Sequence, residues 1–242
     1  MRMRLFCLPY AGGSKQAYAG WKKYAYTNME KKIEIEALEI KGRGERFCEG
    51  FYHDFSEAVD DIYALIKDKI QKEDYAIYGH SMGAVLAYEL YYKIAAEQSN
   101  APGHIFFSGR YSPVVQDNMY VSSKMPDDEF ISRLLALGGV PDTLPQSKEL
   151  MEFYLPIIKN DIRVLETYDF WERDEKIQCA TTVINGTEDR TDSNGKVTWS
   201  DLCEGQCKSY YLEGNHFFIN NSVDKILRII EEVLFAELRG RK

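Results

Sequence analysis

Gly79, His80, Ser81, Met82 and Gly83 read Gly-x-Ser-x-Gly, with the apolar run YAIY before them and the helix-forming AVLAYELYY after them. A serine on a sharp strand-to-helix turn is set for nucleophilic catalysis. The turn exposes its hydroxyl, and the helix start aims free amides at developing negative charge. Gly79 and Gly83 omit side chains where strand and helix would collide. A hydroxyl is a weak nucleophile near neutral pH, so a base must accompany it. Of the four histidines, His216 lies in EGNHFFI, after the last strand-like run and before a C-terminal helix pattern. That is where a base belongs on a loop at the carboxyl edge of a sheet. His80 adjoins Ser81 but should point away from it, while His53 starts a helix pattern and His104 a strand pattern.

The base needs a carboxylate to fix its tautomer, expected after the penultimate strand in the chain order serine, acid, histidine. The segment TTVINGTEDRTD offers Glu188, Asp189 and Asp192. Asp189 is the choice: it lies a short turn past the strand end, whereas Glu188 is one residue early and Asp192 is further into the loop. An oxyanion hole takes two backbone donors. Met82, after the nucleophile, supplies one. The other should come from LPYAGGS, where Gly12 and Gly13 let backbone approach a ligand and Ala11 or Tyr10 supplies the N–H.

These residues need elements to carry them. Strand-like runs recur at 4–10, 33–40, 75–80, 104–109, 181–186 and 209–214, with helical runs between. That alternation predicts an α/β fold with a mostly parallel sheet covered by helices on both faces. In DFSEAVDDIYALIKDKI the residues Phe55, Val59, Ile62, Leu65, Ile66 and Ile70 make a sheet-facing stripe. In SVDKILRIIEEVLFAEL, Val223, Ile226, Ile229, Ile230, Val233 and Leu234 make another, with Ser222 as N-cap. From about 121 to 171 the alternation breaks into a helical stretch punctuated by Gly138-Gly139, Pro141, Pro145 and Pro156. It is too apolar for a plain loop, so it is read as a helical lid inserted into a single domain spanning 1–242. Its Phe130, Leu134, Leu135, Phe153 and Leu155 either line a channel to the serine or pack against the core.

The chain has 242 residues, 45% hydrophobic and 28% charged, with no apolar run near the roughly 18 to 20 residues that span a bilayer. The run LFCLPY is too short for the core of a signal peptide and reads as the first strand, which makes a cytoplasmic location the expectation. Cys7, Cys48, Cys179, Cys203 and Cys207 are scattered, without metal-ligand spacing, and are read as buried free thiols. A net charge of −8 argues against nucleic-acid binding. Nothing marks a membrane surface or a subunit interface, so a monomer is expected.

Taken together, LPYAGGS, GRGER (42–46), GHSMGA (79–84), SGRYSP (108–113), LGGVP (137–141), INGTED (184–189) and GNHFF (214–218) resemble the type II thioesterases of nonribosomal peptide and polyketide synthesis, collinearly over nearly the whole chain. The resemblance implies an α/β-hydrolase fold with a helical lid. It implies hydrolysis of acyl thioesters carried on the phosphopantetheine arm of acyl- or peptidyl-carrier proteins, as an editing activity without a cofactor of its own. Carried over, the triad is Ser81, Asp189 and His216. Lys41 before GRG, Asn215 before the histidine and Lys159-Asn160 before Asp161 depart from the family's usual residues and bear on lid contacts and carrier preference. Rival readings are a stand-alone carboxylesterase or lipase, a thioesterase releasing fatty-acyl chains, and a noncatalytic carrier-docking module.

Overall fold

The computed structural model describes residues 3–29, 33–114, 120–139, 146–189 and 198–240, the side chains of 236–240 excepted. Val140, Pro141, Pro145 and Asp192 lie outside the described residues.

Strands β1 (Met3–Leu8), β2 (Ile33–Ala37), β3 (Tyr75–His80), β4 (His104–Ser108), β5 (Ala180–Gly186) and β6 (Cys207–Leu212) form a parallel sheet in the order β2-β1-β3-β4-β5-β6. The four inner strands are apolar on both sides because both faces are covered. Phe6, Leu8, Ile77, Ile105 and Phe107 face helices α2 (Phe55–Ile70) and α3 (Met82–Ala96). Their neighbours Leu5, Cys7, Tyr78 and Phe106 face α1 (Ala19–Asn28) and α6 (Val223–Gly240). Each fully buried side chain of this kind contributes roughly 1.5–3 kcal/mol. β1 ends two residues earlier than the apolar run, since Pro9 has no amide for the ladder.

The α2 stripe holds at Phe55, Val59, Ile62, Ile66 and Ile70, but Leu65 is turned out and 37% exposed. Asp54 rather than His53 starts this helix, its Oδ1 accepting from the Glu57 amide at 2.8 Å. α6 starts at the expected place, with Ser222 O accepting from Ile226 N at 2.9 Å. α1 has only Trp21 and Ala25 buried, which is why no apolar stripe announces it.

Between β4 and β5 run α4 (Asp127–Leu137) and α5 (Lys148–Glu166). They share a cluster of their own, in which Phe130, Leu134, Ile158 and Ile162 meet Val121, with Leu155 against its edge. Phe153 is 45% exposed and stacks on Phe47, ring centroids 5.4 Å apart. Gly138, left-handed at φ 77°, ends α4 as its sequence position suggests. Pro156 does not end a segment: α5 passes through it. The lost hydrogen bond is tolerated because Pro156 is exposed and the apolar face that follows it, Ile157, Ile158, Ile162 and Leu165, is buried. The cysteines are all free, but only Cys7 and Cys203 are buried; Cys48 is exposed and Cys179 and Cys207 are half-buried. Among the described residues no helix is long and apolar enough to cross a membrane.

Candidate active site

Ser81 caps α3 at φ 56°, ψ −114°, a conformation costly for a residue with a side chain. Two backbone bonds hold it there, Ser81 N to Ser108 O at 2.8 Å and Ala84 N to Ser81 O at 3.0 Å. The glycines make the turn sterically feasible. A Cβ at Gly79 would lie 2.0 Å from Gly83 O, and one at Gly83 would lie 2.4 Å from Leu8 O. Both obstacles are backbone, so neither can move aside.

The loops after β5 and β6 are joined to each other. Thr187 N donates to Leu212 O at 2.8 Å and Glu188 N to Gly214 O at 2.9 Å. Gly186 sits so close to this seam that a Cβ would lie 2.5 Å from Gly214 O. The join brings Asp189 beside His216, whose Nδ1 lies 2.9 Å from Asp189 Oδ2 and 3.1 Å from Oδ1. His216 Nε2 in turn lies 2.9 Å from Ser81 Oγ. Asp189 and His216 are both buried, whereas Glu188 faces solvent. A proton can therefore pass from Ser81 to an imidazole whose other nitrogen is held by a carboxylate.

The other histidines are occupied elsewhere. His53 is exposed, and His104 is buried with Nε2 2.9 Å from Thr182 Oγ1. His80 is fully buried beneath the site, its ring centroid 5.1 Å from that of His216. Tyr78 OH donates to Ser108 Oγ at 2.7 Å, and Ser108 Oγ lies 3.0 Å from His80 Nδ1. Burial, and next the neighbouring His216, push the His80 imidazole down to about 3, so it is neutral at working pH.

In the LPYAGGS turn, Gly13 N donates to Tyr10 O at 2.8 Å and Gly12 N to Asp161 Oδ2 at 2.6 Å. Those amides are committed, which leaves Tyr10 and Ala11 as the donors the sequence had singled out. Asp161, on α5, is also held by Arg43, with Nη1 to Oδ2 and Nη2 to Oδ1 each at 2.6 Å. Neither residue was singled out from the sequence, although a signal was there. Asp161 interrupts an apolar helical stripe at the spacing 157, 158, 161, 162, 165, so it had to be buried and partnered.

The inserted helices flank the site on two sides. α5 meets the LPYAGGS turn, where a Cβ on Gly12 would lie 2.5 Å from Ile158 Cγ1. The end of α4 meets the His216 loop, where a Cβ on Gly138 would lie 2.6 Å from Asn215 Nδ2 and one on Gly139 2.6 Å from Phe217. Of the unusual residues, Asn215 lies at the second junction, Lys159 joins α5 to α4 and Lys41 binds α2. Lys159 Nζ reaches Met125 O at 3.2 Å and the Asp127 carboxylate at the start of α4, Asn215 Oδ1 accepts from Phe217 N at 2.9 Å, and Lys41 Nζ pairs with Glu57 at 2.9 Å. Among the described residues no cluster of His, Cys, Asp or Glu is suited to hold a metal ion.

A parallel sheet covered on both faces, with a strained serine after its third strand and an acid and a histidine after its fifth and sixth, defines the α/β-hydrolase class. Residues 3–234 match the thioesterase domain family, and the chain belongs to that family. The medium-chain S-acyl fatty acid synthase thioesterase of Anas platyrhynchos is 31% identical over 220 residues, covering 89% of this chain and 85% of its own. The gramicidin S biosynthesis protein GrsT of Aneurinibacillus migulanus is 30% identical over 222 residues, covering 91% and 84%. Among solved structures, ClbQ from the colibactin NRPS/PKS pathway superposes with a TM-score of 0.89 at 28% identity, over 98% of each chain. The protein is thus a hydrolase acting on thioesters.

Proposed function

We propose that this protein is a type II, editing thioesterase that clears acyl groups from the phosphopantetheine arm of carrier proteins in nonribosomal peptide or polyketide synthesis. Ser81 is the nucleophile, His216 the general base and Asp189 its orienting partner. His216 takes the Ser81 proton as Oγ attacks the thioester carbonyl, and the tetrahedral oxyanion sits against the Ala11 and Met82 amides. The carbon–sulfur bond breaks, the sulfur takes the proton from His216 and leaves as the phosphopantetheine thiol, and an acyl-serine remains. Water, deprotonated by the same imidazole, then releases the acid. A thiolate leaves more readily than an alkoxide, so little acid assistance is needed. In this reading the chain is a single unit, with α4 and α5 as its lid.

The observation that carries the proposal is the continuous chain from Ser81 Oγ through His216 to Asp189, at 2.9 Å per link, in a member of the thioesterase family. The likeness to ClbQ and to GrsT favours an assembly-line carrier as the substrate's bearer. The likeness to the Anas platyrhynchos enzyme favours a second reading, release of finished fatty-acyl chains. Turnover of short acyl-carrier, long acyl-carrier, acyl-pantetheine and a simple oxygen ester separates these readings. Preference for short acyl-carrier supports editing, preference for long chains supports release, and cleavage of the oxygen ester alone would overturn both. Ser81→Ala should lower acyl release by roughly 10⁴-fold or more. Unchanged release would remove Ser81 from the mechanism.

A further inference from the structure

Asp161 and Arg43 are the most deeply buried ion pair of this region, their side chains 1% and 4% exposed. Burying two charges is costly, and a hydrophobic pair of similar volume is often as stable, so stability alone is a weak reason for such a pair. Its geometry suggests another reason. Asp161 Oδ2 accepts both from Arg43 Nη1 and from Gly12 N, and Arg43 Nη1 also donates to Gly13 O at 3.0 Å. The pair therefore holds the turn by a donor on one residue and an acceptor on the next. Immediately before them stands Ala11, whose amide is assigned to the oxyanion.

We propose that Arg43 and Asp161 are positioning residues that fix the Ala11 amide for the oxyanion and make that alignment depend on the seating of helix α5. The proposal rests on the oxyanion role given above to Ala11 and Met82. Three hydrogen bonds converge on Asp161, from Gly12 N and both Arg43 terminal nitrogens, so α5 cannot lift from the sheet without releasing the turn. Ile158, one helical turn earlier, packs on the same Gly12. The charges also have to be matched. A carboxylate bonded to the residue after Ala11 would repel an oxyanion, and the Arg43 guanidinium cancels that field. A loose lid thus gives a poor oxyanion hole, and a seated lid completes it.

The pair is tested with Arg43→Met/Asp161→Leu, which removes both charges at similar volume and is expected to fold. Its kcat on acyl-carrier should fall roughly 10- to 100-fold while KM stays within about twofold, since a misplaced donor is missed chiefly in the transition state. Affinity for an acyl trifluoromethyl ketone, which forms an oxyanion on Ser81, should fall by the same factor. Binding of intact acyl-pantetheine, measured in a Ser81→Ala background, should not change. Arg43→Met alone should be slower than the double variant, because it leaves the carboxylate uncompensated. Asp161→Asn, which keeps an acceptor for Gly12 N, should lose less than the double variant; it carries the same readouts should the double variant fail to fold. Wild-type kcat in the folded variants, or a loss confined to KM, would overturn the proposal. Failure of the trifluoromethyl ketone to bind the wild-type enzyme would instead overturn the oxyanion assignment beneath it.

Discussion

His80 shows how a residue beside Ser81 can matter without taking part in proton transfer. Its imidazole is fully buried and is pushed from the ordinary value down to about 3 by burial first and by His216 second. In the unfolded chain the same group titrates near 6.5. Between these values the unfolded state binds a proton that the folded state does not. Stability from this residue is therefore complete above about 6.5 and is lost as pH falls, by up to ~1.4 kcal/mol per pH unit. His80→Gln should flatten the acid side of the stability curve, read as urea midpoints from pH 7 to pH 4; an unchanged slope would mean that His80 is protonated in the fold. The residues of the candidate site that the structure brings together were largely legible. Ser81, His216 and Asp189 could be expected to meet because nucleophile chemistry restricts residue type, chain order and distance from a strand end. Asp189 could be preferred to Glu188 by position alone, and the joined loops after β5 and β6 supply the reason, burying the former and exposing the latter. Arg43, inside the GRGER motif, and Asp161 were in view, but their pairing was not, because they are 118 residues apart and it is a tertiary fact.

At the scale of elements, strands and amphipathic helices were readable wherever one face is dry, and failures cluster where that condition lapses. α1 buries too little to leave a stripe, and Leu65 sits at a stripe position but at the water's edge. Pro156 was read as punctuation, yet the apolar spacing of α5 continues across it, and tertiary packing outweighs the local penalty. That penalty is still present in the folded protein. A proline inside a helix costs about 3 kcal/mol relative to alanine, and the restriction it places on the unfolded chain returns roughly 1 kcal/mol. Pro156→Ala should therefore stabilise the protein by about 1–2 kcal/mol, a rise in melting temperature of roughly 2–8 °C by calorimetry. A fall would show that Ile157 and Ile158 depend on the backbone geometry that the proline imposes to reach their partners.

Among the described residues the apolar core falls into three clusters rather than one. Two lie on opposite faces of the sheet and hold β3, α3 and the strand ends that present Ser81, Asp189 and His216. The third is smaller, lies within the inserted helices and is centred on Phe130, Leu134, Ile158 and Ile162. Only the C-terminal part of α5, at Val164 and Leu165, joins the sheet's own core. A cluster with few members and its own boundary should open at lower free energy than the sheet. Phe130→Ala removes its one fully buried aromatic ring, a change that typically costs about 3–5 kcal/mol in a core. Hydrogen exchange should localise that cost, with α4 and the first turns of α5 losing protection while β3, β4 and α3 keep theirs. The acyl-transfer rate should fall in the same variant, since Ile158 and Asp161 carry the seating of α5 to the Gly12 turn. Uniform loss of protection over sheet and helices would mean that the insertion and the sheet unfold as one unit, and would leave no separate lid motion for the oxyanion turn to sense.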